Sequence, residues 1–214
     1  MKKVLKTALR YFMGLISVLY PYYLSTRIDR ILNMMYSAWL SHFLGNVGEN
    51  VIIEKPCKLE GGGCGAISLG SNSYIHSNCF FGCWKKFHRQ EFSPSISIGE
   101  HCNIGQYTHI TACNKVVIGN GLLTGKFVLI SDNSHGGLSE EESLIPPNKR
   151  LLKTKGEIVI GNNVWIGDKA TVLSGVSIGD NVIVAANSVV TKSVPSNCII
   201  AGAPAKIVKF LKDE

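Results

Sequence analysis

The sequence predicts a mainly β protein wound as a parallel β-helix of hexapeptide units. A helical segment precedes the coil and a short closing segment follows it. Three observations predict this. Aliphatic residues return at every sixth position from Ile160 to Val190. A small or medium residue comes four positions after each of them, and Gly, Asn or Asp often fills the places between. Six is a multiple of the two-residue alternation of a strand and a poor match to a helical turn of about 3.6 residues.

The aliphatic phase runs Ile160, Ile166, Val172, Ile178, Val184 and Val190. The second position runs Val164, Ala170, Val176, Val182, Ser188 and Val194. Ile98, Ile104 and Ile110 carry the same phase, with Cys102 and Thr108 in the small place. After a two-residue slip it resumes at Ile118, Thr124 and Ile130, with Leu122 and Val128. Weaker copies start at Val47 and Leu69, with Val51, Cys57, Ser73 and Cys79 in the small place. Each unit reads as a very short strand plus a turn, its two apolar positions facing inward. β-Branched residues suit the strand, and Gly and Asn tolerate the positive φ of the turn. Three units make a triangular coil. One coil cannot bury its own inner face, so coils must stack.

The division expected is a helical segment over 1–45, a β-helix over 46–203 with an inserted loop at 136–157, and a tail over 204–214. The chain has 214 residues, 45% hydrophobic and 17% charged, which fits a folded protein and argues against disorder. The net charge is +7. Residues 1–30 hold Lys2, Lys3, Lys6, Arg10, Arg27 and Arg30 against Asp29, so the rest of the chain is close to neutral. No nucleic-acid surface is expected. Seven cysteines without a CxxC pair fit neither a disulfide framework nor a zinc finger, and a reducing, cytoplasmic setting is expected. Cys57, Cys79 and Cys102 fall in the small inward place and read as packing. Cys64, Cys83, Cys113 and Cys198 receive no role.

Residues 1–24, MKKVLKTALRYFMGLISVLYPYYL, set a basic start before an apolar run that Pro21 interrupts. The run is shorter than the roughly 20 residues of a spanning helix, and no small-x-small cleavage site follows it. Two readings stay open. One is an uncleaved helix lying on the inner membrane, its Lys and Arg near anionic headgroups. The other is a helix packed on its own domain or on a neighbouring subunit. A second helix is expected from about Thr26 to Phe43.

The repeat breaks at Ser131 with SDNSHGG and an excursion to about Glu157. A long loop inside a regular solenoid is usually functional. His135 stands at its start, and a near-neutral imidazole can take a proton from a hydroxyl. Asp132 and Asn133 beside it could orient the imidazole or hold an acceptor, although Asp-Asn-Ser is also turn chemistry. His109 could line the cleft or hydrogen-bond within the coil. CWKKFHRQEF, over 83–92, interrupts the early repeats. Trp84 could stack on a sugar face and Lys85, Lys86 and Arg89 could hold an anionic acceptor; a solvated loop with locally packed aromatics is the other reading.

These repeats resemble the hexapeptide-repeat acyltransferases, in particular the maltose, galactoside and nodulation-type sugar O-acetyltransferases and their polysaccharide-modifying relatives. The resemblance covers about Ile96 to Leu211 well and Val47 to Phe81 loosely. It implies a left-handed coil, a homotrimer with active sites between subunits, and acetyl transfer from acetyl-CoA to a sugar or surface-polysaccharide hydroxyl. It places the family's catalytic histidine on His135 and its donor groove on Asp168, Ala186, Thr191, Lys192 and Lys209. Trp165 matches a position near acceptor or pantetheine, or packs on the outer wall. The ending AGAPAKIVKFL resembles the piece that closes the donor groove. Acetyl-CoA is then a co-substrate, and no metal is expected. Two rival functions stay open: a zinc enzyme like the γ-class carbonic anhydrases, which needs three histidines at one metal across an interface, and a non-catalytic β-helix scaffold. The histidines, His42, His76, His88, His101, His109 and His135, lack the expected five-residue ligand spacing.

Overall fold

The structure, a computed structural model, describes residues 2–137 and 139–211. The last three residues of the expected tail, 212–214, lie outside the described residues, as does Leu138 of the expected loop. Short strands build a three-sided prism of six-, eight- and six-stranded sheets. One coil shows the plan. Lys115–Ile118 lies on the first face, Leu123–Thr124 on the second and Leu129–Ser131 on the third; the chain then returns to the first face at Ile158–Ile160. Successive coils pair in parallel, with Ile118 on Ile160, Thr124 on Ile166 and Ile130 on Val172.

The register puts like on like, so the inward residues form columns. Ile160, Ile166, Val172, Ile178, Val184 and Val190 are all buried, as are Val164, Ala170, Val176, Val182 and Ser188. The first-face strands add a second inward layer from Ile67, Ile96, Val116 and Ile158. Cys57, Cys79 and Cys102 pack in the core as their places in the repeat require, and Cys83, Cys113 and Cys198 are buried too. All seven thiols are free. Burial pushes the Cys57 and Cys79 thiols up to about 12, because a thiolate there would lose its hydration.

Two of the three corners are tight. Between the first and second faces, Asn50, Asn72, His101, Asn163, Asn181 and Asn197 hold positive φ near 55°. Their amides form a ladder along the edge, with Asn181 Nδ2 donating to Asn197 Oδ1 at 2.9 Å. Between the second and third faces, Asn78, Tyr107, Phe127, Lys169 and Asn187 do the same. At that corner the coils approach so closely that a Cβ on Gly125 would collide with Asp168 Oδ1.

Helix α1 (Lys2–Leu19) and helix α2 (Tyr22–Ser41) precede the prism. The second begins earlier than the expected Thr26, because Pro21 ends one helix and starts the next. α2 caps the open end of the coil. Its Ser37 Oγ accepts the Ile53 N–H at 2.7 Å, and its Tyr36 hydroxyl donates to the Cys57 carbonyl at 2.9 Å. The first coil has no coil beneath it, and these side chains serve its outward-facing backbone instead. α1 buries none of its residues, so the reading of it as packed on its own domain is set aside. No described helix is long and apolar enough to cross a membrane. At the far end, Ala205–Phe210 folds back antiparallel on Cys198–Gly202 and closes the second face.

Ile166→Ala removes a fully buried side chain between two coils that cannot collapse into the gap. It is expected to destabilise the protein by about 2–5 kcal/mol, read from denaturant unfolding against the wild type.

Candidate active site

The third corner, between the third and first faces, is where the chain leaves the prism. Excursions depart there over 84–94 and 132–157, each after a third-face strand. The longer one opens as a hairpin in which Ser134–His135 pairs antiparallel with Leu152–Lys153, placing His135 opposite Leu152. A helical turn at Glu140–Ser143, capped by Ser139, and the 3-10 turn Pro147–Lys149 fill the space between. The excursion's ends are tied by Glu142, which accepts the Gly137 N–H at 2.7 Å and pairs with Lys153 at 2.6 Å.

His135 is exposed, and its ring meets Phe87 edge-on with centroids 5.3 Å apart. Both rings line a cavity of about 350 Å³ together with Phe80, Trp84, His109, Asn133 and Leu152. Thus His135, Asn133, His109 and Trp84, read from three separate parts of the sequence, lie in one place. Lys85, Lys86 and Arg89 of the segment over 83–92 are exposed, and Trp84 packs edge-on against Phe87 with centroids 6.4 Å apart. Its indole N–H donates to Thr111 Oγ1 at 3.0 Å, which stands the ring in the cavity wall. His109 meets Phe80 edge-on at 4.2 Å, and burial lowers its pKa against the weaker opposing pull of Glu60. Burial thus favours its neutral form. Among the described residues its Nε2 has no hydrogen-bond partner.

A second cavity of about 350 Å³ shares Ser131, Asn133 and Ser134 with the first and runs on to Lys155, Ser174 and Thr191. His135 lines the first cavity, and the residues on either side of it, Ser134 and Gly136, line the second.

Asp132 requires a correction. It is fully buried, and its oxygens accept the backbone N–H groups of Cys113 and Asn114, each at 2.8 Å. It also accepts the Asn133 amide at 2.9 Å. The carboxylate is thus engaged by two backbone amides of the coil below, and among the described residues it makes no hydrogen bond to His135. Its service to the site is to fix the plane of the Asn133 side chain.

The residues assigned to the donor divide between two corners. Thr191 and Lys192 follow the last third-face strand, on the His135 side. Asp168 and Ala186 lie at the second corner, after the second-face strands Trp165–Ile166 and Ile183–Val184. Trp165 is half exposed on the second face, and Lys209 is exposed on the closing strand opposite Ile199. Asp168 Oδ1 accepts the Lys126 N–H at 2.8 Å and lines a separate cavity of about 390 Å³ with Lys126, Gln106 and His76. Glu54 accepts the Tyr74 hydroxyl at 2.7 Å and faces Nδ1 of His76, a residue of that cavity, at 3.3 Å. Phe87, Gln90, Thr111 and Leu152 carry no motif. Only their place inside the two interruptions of the repeat could have pointed to Phe87, Gln90 and Leu152, and Thr111 lies on a regular third-face strand. Among the described residues no three His, Cys, Asp or Glu side chains are grouped to hold a metal ion.

The comparisons follow this geometry. The family described as bacterial transferase hexapeptide (six repeats) matches residues 157–192. Galactoside O-acetyltransferase of Escherichia coli K12 is 30% identical over 179 residues, which cover 81% of this chain and 68% of that protein. WbbJ of the same strain, named provisionally as a lipopolysaccharide biosynthesis O-acetyl transferase, is 41% identical over 123 residues, covering 56% of this chain and 62% of its own length. Among solved structures, AntD, an N-acyltransferase from Bacillus cereus in complex with dTDP and 3-hydroxybutyryl-CoA, superposes with a TM-score of 0.66 at 22% identity, over 83% of this chain and 88% of that one. The coil is of the left-handed kind. With its repeats, its prism and a relative aligned across most of both chains, the protein belongs to the hexapeptide-repeat acyltransferase family.

Proposed function

We propose that the protein is an acetyl-CoA-dependent O-acetyltransferase acting on a hydroxyl of a sugar or of a surface-polysaccharide precursor. One observation carries this reading: His135, Asn133, His109 and Trp84 share a cavity, and Ser131, Asn133 and Ser134 of its wall also line a second cavity that reaches Thr191. The relatives' names support it, since one acts on galactosides and the other is tied to lipopolysaccharide.

In this mechanism the acceptor sugar enters the cavity walled by Phe80, Trp84 and Phe87, whose faces suit the C–H groups of a pyranose. Asn133 and the neutral His109 offer hydrogen bonds to its hydroxyls. His135 removes the proton of the reacting hydroxyl as that oxygen attacks the thioester carbonyl. Backbone N–H groups stabilise the oxyanion. When the intermediate collapses, the C–S bond breaks and the imidazolium returns its proton to the departing thiolate. No covalent acyl-enzyme forms.

The donor assignment needs more than one copy. Thr191 and Lys192 stand at one corner, and Trp165, Asp168, Ala186 and Lys209 on the second face or at its far corner. In a homotrimer the groove of one subunit would be completed by the far edge of the next, and Lys209 would meet a phosphate as a point charge rather than through a guanidinium fork. The acceptor is placed at the cytoplasmic face of a membrane by α1. That helix carries Lys2, Lys3, Lys6 and Arg10, no acidic residue, and an exposed apolar set including Leu5, Leu9 and Phe12.

His135→Ala is expected to lower acetyl transfer by about 10²–10⁴-fold while calorimetry still detects acetyl-CoA binding. Turnover is followed by free-thiol release across a panel of sugars and sugar nucleotides; wild-type rates in the variant would refute the base. The protein should also float with phosphatidylglycerol vesicles at low salt and not with phosphatidylcholine vesicles. Equal flotation of a chain lacking residues 1–20 would remove α1 from that role.

A further inference from the structure

The hairpin over 86–91, formed by Lys86–Phe87 and Gln90–Glu91, is built against the His135 excursion. Leu152 faces His135 across the excursion's own hairpin, but its backbone groups turn the other way. The Leu152 N–H donates to Gln90 Oε1 at 2.7 Å, and its carbonyl accepts from Gln90 Nε2 at 3.0 Å. A primary amide carries a donor and an acceptor spaced like those of a peptide unit. Gln90 therefore occupies the place of a third strand beside Leu152–Lys153. Leu152 is 5% exposed, and both bonds are partly shielded from water. Two neighbours in the same hairpin act on the same target. Phe87 presents its ring to His135, and His88 Nε2 lies 3.0 Å from the Asn148 carbonyl.

We infer that Gln90 is a positioning residue: it clamps the Leu152 backbone and, through the paired strand, holds His135 against Phe87 in the wall of the aromatic cavity. This rests on the reading of His135 as the general base. The two interruptions of the repeat then form one device, the first holding the second. An unclamped Leu152 would let the hairpin open at its outer edge, and a ring displaced by about an ångström loses much of its proton-transfer efficiency.

Gln90→Leu keeps the volume and removes both hydrogen bonds. Amide exchange of Leu152 and Gly136, whose N–H donates to the Leu151 carbonyl at 2.8 Å, is expected to accelerate at least tenfold, with exchange at Val172 and Ile166 in the coil unchanged. With acetyl-CoA and the best acceptor of the panel, kcat should fall about tenfold and KM for acetyl-CoA stay within twofold. Unchanged protection at Leu152 and Gly136 overturns the clamp. Lost protection with wild-type kcat overturns the positioning role. If His135→Ala retains wild-type turnover, the base assignment fails by itself, and the exchange result still decides whether Gln90 holds the hairpin.

Discussion

Ile166 rests on Thr124 below and supports Val184 above, and the same holds around the prism for every inward residue of the regular coils. This stacking of like positions is the constraint on which the rest depends. Each fully buried Ile or Val contributes about 1.5–3 kcal/mol when removed from water, but only if a coil lies on either side. The hydrogen bonds between coils have the same requirement, since a strand of two residues has no stability alone. The ends must therefore be closed by something that is not a coil. At the start α2 does so with Tyr36, Ser37 and Leu40. At the finish the antiparallel strand Ala205–Phe210 does so.

The same constraint decides where chemistry can be placed. Two corners are locked by left-handed turns stacked in register, and at one of them even a Cβ on Gly125 has no room. An insertion there would break the ladder above and below. The third corner lacks such a column among the described residues and tolerates departures, as at 84–94 and 132–157. Because both leave from strands of the same face, they emerge beside each other and can touch. That is how residues some 60 positions apart, Gln90 and Leu152, come to share two hydrogen bonds. The rigid prism fixes where each excursion begins and ends, and contact between them fixes the middle.

The repeat made the prism legible, because a column of inward residues leaves a period in the chain that survives slips such as the one between Ile110 and Ile118. The break at Ser131 made His135 legible in the same way. Other parts of the site were not legible, for physical reasons. Asp132 sits beside His135 in sequence and reads as a partner for it, but the strand ends there and turns the carboxylate inward to the Cys113 and Asn114 amides. Adjacency in an irregular segment says nothing about which way a side chain points. Gln90 has no periodic neighbour, and its role depends on a backbone segment far along the chain. Trp84 was readable as a residue type suited to a sugar, but only the bond to Thr111 fixes its ring in the cavity wall.

His109 and His76 show how the scaffold prepares two different edges. His109 projects from a third-face strand into the His135 cavity, its neutral form favoured by burial and its Nε2 without a partner among the described residues. In the proposed reaction that nitrogen would meet a hydroxyl of the acceptor. His76 belongs to the opposite edge, where Glu54 faces its Nδ1 and Asp168 and Lys126 share its cavity. One chain thus presents an aromatic, imidazole-bearing cleft on one corner and a polar cleft on another, separated by a face of the prism. A bisubstrate reaction needs both partners within bonding distance, and a prism this regular cannot bend to bring its own corners together. The proposed assembly answers that geometry by rotation: a second copy, turned about an axis parallel to the coil, sets its polar edge against the first copy's His135 without either chain changing shape.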